Sequence, residues 1–230
     1  MSPDTSTLAH LSAQARLGAF QRVRAASMAI AAPLSAEDCQ VQSMADASPV
    51  KWHLAHTTWF FETFILETFD GDYRVFDPAF KVLFNSYYNT VGDKHPRPER
   101  GLLSRPSLDA VRAYRTHVDT AMVALLGDPI IGAAVQQLLA LGINHEQQHQ
   151  ELMLTDLKHM LSVNPLLPAY AVAPESGYGA GPGAGVTAPL MATDWQAFAG
   201  GLIEIGHQGE TFAFDNESPR HQVFQRPYQL

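Results

Sequence analysis

The sequence has a single cysteine, Cys39, in 230 residues. A lone thiol closes no internal disulfide, which fits a reducing compartment, and the cytoplasm is the expected location. Positive charge is scarce as well: 15 Lys and Arg stand against 23 Asp and Glu, a formal net charge of −8. Without a global positive field to hold a phosphate backbone, nucleic acid is not an expected partner. Long apolar runs are missing, because polar or charged residues interrupt every stretch well short of the ~20 residues that cross a bilayer. The opening Met1-Ser-Pro-Asp-Thr carries an acid and no basic leader, so neither a membrane span nor a signal peptide is expected. What is present is 46% hydrophobic and 17% charged residues, enough for a globular chain with a sizeable core and not for a disordered or fibrous one. Histidine is comparatively abundant, at ten residues. The functional question is which of them converge.

Apolar residues recur at helical intervals from Thr7 to about Ala32, with no proline until Pro33, and predict a first helix. Ser35, followed by Ala-Glu-Asp, reads as a capped turn. Ser48 as N-cap with Pro49 at the first helical position predicts a second helix to about Phe69. Its aromatic content (Trp52, Trp59, Phe60, Phe61, Phe64, Phe69) marks it as heavily buried. Residues 70–106 carry Gly71, Pro78, Gly92, Pro96, Pro98, Gly101 and Pro106 and read as a long irregular excursion, a length that is usually functional or disordered; Phe84, Tyr87 and Tyr88 argue for order. Ser107 caps a third helix to about Leu126, stopped by Gly127-Asp-Pro129, and a fourth runs from about Ile130 to Leu161. Four long helices with one long crossover describe a mainly α four-helix bundle over residues 1–163. Residues 164–192 hold five prolines and five glycines and read as a linker or wrapping arm. From 193 to 230, short runs such as Gly201-Leu-Ile-Glu-Ile-Gly206 and Gln222-Val-Phe-Gln carry strand and turn signals. That segment is too short for a second stable core and reads as the beginning of a second domain.

The fourth helix contains His145-Glu-Gln-Gln-His149. A spacing of four puts both imidazoles on one face, about 6 Å apart along the axis, which suits two ligands of one metal ion. The second helix adds His53 and His56, of which one needs to face the bundle interior. His56, flanked by Trp52, Trp59 and Phe60 at helical spacing, lies on the apolar face, where a buried imidazole is costly without a partner. His56, His145 and His149 are therefore the candidate metal ligands, although each taken alone also reads as a core or surface histidine. Three neutral imidazoles without a carboxylate leave several open positions, which iron(II) uses; zinc would take one water and be tetrahedral. Gln148 and Glu151 are candidate acceptors for the ring N–H groups, whereas Glu146, Gln147 and Gln150 read as solvated. Arg97 and Arg100, three apart in a Pro-rich loop, suit a bidentate grip on a substrate carboxylate or, on spacing alone, a solvated loop. With Tyr88 they are the candidate substrate contacts. His117, His159, His207 and His221 read as surface or structural.

The segments Trp52-His-Leu-Ala-His56-Thr-Thr-Trp59-Phe-Phe-Glu62, Tyr87-Tyr88 to Gly101-Leu-Leu-Ser-Arg-Pro106 and His145-Glu-Gln-Gln-His149-Gln-Glu151-Leu resemble the N-terminal DinB-type bundle of the ergothioneine-biosynthesis sulfoxide synthases. Gly200-Gly-Leu-Ile-Glu-Ile-Gly206 and Phe214-Asp-Asn-Glu-Ser-Pro-Arg-His221 resemble the opening of a formylglycine-generating-enzyme-type domain of irregular α+β fold. The resemblance implies a non-haem Fe(II) held by His56, His145 and His149. It implies a reaction in which O2 joins the sulfur of cysteine or γ-glutamylcysteine to the imidazole C2 of hercynine as a sulfoxide. The related selenoneine synthases take a selenosugar instead. The catalytic tyrosine and the hercynine pocket of that family are expected beyond residue 230, so the remainder of the C-terminal domain is the expected partner and residues 1–230 are expected to be inactive alone. A zinc-dependent DinB-type thiol transferase or hydrolase, or a bundle with purely structural histidines, are the alternatives.

Overall fold

The computed structural model describes residues 12–88, 90–171, 194–209 and 211–230. The residues predicted to begin the first helix, Thr7 to Leu11, and most of the 164–192 segment lie outside that set. The chain divides into two compact units, residues 1–171 and 172–230.

In the first unit, α1 (Ala13–Ala31) is capped by the Ser12 hydroxyl, which accepts from Ala15 N–H. Its cap leads into the expected turn, where Ser35 and Asp38 exchange reciprocal side-chain to backbone bonds of 3.0 and 3.1 Å. Helix α2 (Val50–Phe61) is buried at every position, its polar residues Lys51, His53, His56, Thr57 and Thr58 included. It begins one residue later than predicted. Pro49 is the cap residue, and Ser48, instead of capping, donates its N–H to Asp156 while its hydroxyl oxygen accepts from Arg100. Beyond Phe61 the helix widens into a π turn, Glu62–Leu66, before a last α turn, α3 (Glu67–Phe69). Glu62 is 2% exposed, and its carboxylate accepts from the Tyr114 and Tyr73 hydroxyls and the Phe76 N–H. Those bonds tie the end of α2 to the crossover and to the helix that carries Tyr114.

The 70–106 excursion contains one short helix, α4 (Phe80–Leu83), and a 3-10 segment, Arg97–Leu102. Buried polar side chains order the rest. Asn85 Nδ2 donates to the carbonyls of Tyr88, Gly92 and Asp93, and Lys51 Nζ to those of Leu103 and Pro106. Helices α5 (Leu108–Gly127), capped by Ser107, and α6 (Ala133–Ser162) complete a bundle in which α1 and α2 each pack on both. At Gly142 the α6 backbone runs against the rings of Phe61 and Phe60; a Cβ there would fall 2.6 and 2.9 Å from their carbons. That approach sets α6 close to α2 just before the first histidine of the HxxxH pair. No helix of the described residues is long and apolar enough to cross a membrane.

The second unit pairs β1 (Ala197–Phe198) with β4 (Tyr228–Gln229), and β2 (Gly201–Ile205) with β3 (His221–Gln225), all antiparallel. None of its described residues is buried.

Candidate metal centre

His56 and His145 belong to facing helices, and their Nε2 atoms lie 3.2 Å apart. With His149 they form a cluster whose candidate donor atoms all lie within 4.8 Å of one another. His56 is 2% exposed, and His145 and His149 are 9% exposed. The fit to an ion is geometric. Two nitrogens bound to one metal at about 2.0–2.1 Å, at angles between 90° and tetrahedral, lie about 2.8–3.4 Å apart.

The ring of His56 is held on every side. It stacks between Trp52 (4.6 Å, 13°) and Trp59 (5.5 Å, 13°), the same residues that mark its apolar face in the sequence. Its Nδ1 donates to the Phe84 carbonyl at 2.6 Å, which leaves the Nε2 lone pair directed at His145. Two lone pairs facing at 3.2 Å repel unless a proton or a cation lies between them. Burial lowers the pKa of all three rings, to about 4 for His145, and well below the ordinary histidine value for His56 and His149, where the neighbouring histidines add to the effect. At neutral pH the cluster is thus three neutral imidazoles, the form that ligates metals.

Two expectations about the surroundings need correction. Gln148 and Glu151 hold no ligand ring; the Phe84 carbonyl holds His56, and His149 Nδ1 lies 2.8 Å from His53 Nδ1. Glu146 is not solvated but 0% exposed in side chain. The face it occupies meets α1 and α5, and each contributes a guanidinium: Arg24 at 3.0 Å and Arg115 at 3.1 Å, with the Ser27 hydroxyl at 2.6 Å. Sequence spacing names a helix face, and only packing says what that face meets. His53, to which the sequence assigns no role, is 1% exposed and contacts both His149 and Asp156; its spacing of three from His56 was the available signal.

A cavity of about 400 Å³ opens over the histidines and is also lined by Arg97, Arg100, Tyr87, Tyr88 and Gln148. Arg100 is 4% exposed. Its guanidinium lies 3.3 Å above the Trp52 ring and donates to the Ser48 and Ser86 hydroxyls, extending the stack to Arg100–Trp52–His56–Trp59. Burial first, then Arg97, lowers its pKa to about 10, so it is a buried cation at neutral pH without a carboxylate partner. Arg97 is half-buried and donates to the Tyr87 hydroxyl at 3.0 Å. Tyr88 packs its ring on Trp59, Phe60 and Phe64 at the cavity wall. A larger concavity of about 500 Å³ between α1 and α5 offers the mutually paired Arg24 and Asp119 and no histidine.

The first unit is thus a helical bundle in which three converging histidines on two facing helices are positioned to bind a metal ion. Residues 19–153 match the DinB superfamily, and because that match spans more than half of the chain, the protein belongs to this superfamily. No curated protein matches the chain.

Proposed function

We propose that this protein is a non-haem iron(II) enzyme that uses O2 to join the sulfur of cysteine or γ-glutamylcysteine to the imidazole C2 of hercynine. The observation that carries this reading is the donor set: three neutral imidazoles and no carboxylate, beneath a cavity with a buried, unpaired guanidinium. A dication on neutral ligands keeps its full charge and leaves positions open, which favours an anionic thiolate beside O2. Bound iron would supply the redox chemistry that couples the thiolate, the imidazole carbon and O2. The overall reaction balances when the S–H and C–H hydrogens leave as water with one oxygen atom and the other oxygen stays on sulfur. His56, His145 and His149 would hold the ion. Arg97 and Arg100 would take the donor's carboxylate through their free N–H groups, and Trp52 fixes the plane of Arg100. A selenosugar donor is the nearest variant of this reading. The alternative reading is a zinc-dependent thiol transferase or hydrolase using the same three histidines.

Cobalt(II)-loaded protein titrated with γ-glutamylcysteine should develop a thiolate-to-metal charge-transfer band, absent after His56→Ala. Mass spectrometry of iron-loaded protein given O2, hercynine and a mixture of thiol and selenosugar donors should identify a sulfoxide or selenium product. Zinc in the purified protein, with no thiolate band and no O2 uptake in the iron form, would favour the transferase or hydrolase. Arg97→Ala should weaken thiol binding with little change in melting temperature, whereas Arg100→Ala should also destabilise the start of α2, where it bonds Ser48.

A further inference from the structure

One buried run of polar side chains beside the cluster has a role of its own. Asp156 lies seven residues beyond His149, two turns along the same face of α6. Its Oδ2 accepts the Ser48 N–H at 2.9 Å and sits 3.1 Å from His53 Nε2. His53 Nδ1 in turn lies 2.8 Å from His149 Nδ1. His53 is 1% exposed, and Asp156 is 9% exposed.

The chemistry of these three groups permits one ordering of protons. An ionised carboxylate only accepts, so the ring proton of His53 sits on Nε2, facing Asp156. A neutral imidazole then has only a lone pair at Nδ1, so the 2.8 Å contact requires His149 to donate from its own Nδ1. The Nε2 of His149 is left bare for the cluster it shares with His56 and His145. We infer that Asp156 and His53 are positioning residues that fix the tautomer of His149 and so make it a metal ligand. The inference rests on the three-histidine metal reading and assigns different work to the two histidines of α2. His56 faces the ion, and His53 orients a ligand on the opposite helix. Carboxylates commonly orient metal-bound histidines directly; here an imidazole is interposed and carries the same information one ring further. The three ligand rings are thereby held differently: His56 by a carbonyl and two indoles, His149 by this relay, and His145 with no hydrogen-bond partner at its Nδ1.

Asp156→Leu tests this directly. One oxygen, Oδ2, serves both the Ser48 N–H and His53 Nε2, so an apolar side chain removes the acceptor that fixes the His53 tautomer and leaves the proton of His149 unassigned. In metal-free protein, long-range proton–nitrogen correlation of the imidazoles should show His149 protonated at Nδ1 in the native chain and a mixture of both tautomers in Asp156→Leu. Cobalt(II) affinity, measured by chelator competition, should fall about 10–100-fold in Asp156→Leu and in His53→Phe. A native His149 protonated at Nε2, or an Asp156→Leu protein with native affinity and native tautomer, would overturn the relay while leaving the metal site standing. Should Asp156→Leu fail to fold, the native ring spectrum and His53→Phe decide. Failure of the native chain to bind cobalt(II) would overturn the metal reading and the relay with it.

Discussion

At the scale of single residues, the interior of this bundle is unusually rich in ionisable groups, and their protonation governs stability. Burial lowers the pKa of His145 to about 4 and depresses His53, His56 and His149 as well. The unfolded chain therefore binds protons near pH 6.5 that the folded chain refuses, so stability is full above that pH and is lost as pH falls. His145 alone accounts for roughly 3 kcal/mol between pH 6.5 and 4. Urea denaturation of metal-free protein at successive pH values should show this decline, and bound metal should oppose it by mass action. Glu146 behaves in the same sense at lower pH. Burial raises its pKa, but Arg24 and Arg115 outweigh burial and leave it below the ordinary value, so its contribution is present above the unfolded value near 4.3 and disappears as pH falls through the folded one. Glu146→Gln leaves two buried guanidiniums short of charge and should cost about 3–5 kcal/mol in chemical denaturation. The lone thiol, by contrast, is inert: burial pushes Cys39 up to about 11.

At the scale of elements, the site depends on how closely two helices approach. Gly142 lets α6 lie against Phe60 and Phe61 of α2, which brings His145 and His149 within reach of His56. Gly142→Ala should gain about 1 kcal/mol of helix propensity and lose more, since overpacking a tight contact costs about 1–3 kcal/mol. The expected outcome is a lower melting temperature together with weaker cobalt(II) binding, both read from one thermal series with and without the ion. A lowered melting temperature with unchanged metal affinity would mean that the approach serves packing alone. The π turn at Glu62–Leu66 belongs to the same scale. It ends the histidine-bearing stretch of α2 where Glu62 gathers the Tyr73 and Tyr114 hydroxyls.

At the scale of the whole molecule, the buried core and the metal cluster both belong to the first unit, residues 1–171. A chain ending at residue 171 should keep its helical circular dichroism, its melting temperature within a few degrees and its cobalt(II) affinity. Ending it at residue 163 should destabilise it, because the Tyr170 hydroxyl donates to the Ile30 carbonyl at 2.6 Å and its ring packs on the core. Thermal melts of the two truncated chains check both statements. The second unit exposes Trp195, Leu202 and Phe224, each at least 67% accessible, as expected of paired strands without a core of their own.

The sequence alone was sufficient for local matters. Helical periodicity, the Ser107 cap, the Ser35–Asp38 turn and the i,i+4 histidine pair are set by residues within a turn or two of each other, and α5 and α6 begin and end within a few residues of their expected bounds. Strand signals at Gly201–Ile205 and Gln222–Gln225 were readable for the same reason, since alternation is local. Only the tertiary structure decided what each helix face meets: that Glu146 enters a cage of two guanidiniums, that Ser48 serves Asp156 and Arg100 rather than its own helix, and that His53 faces His149. Those partners are separated by 31 to 122 residues in the chain. Their energies come from desolvation and pairing across the bundle, which no local pattern encodes.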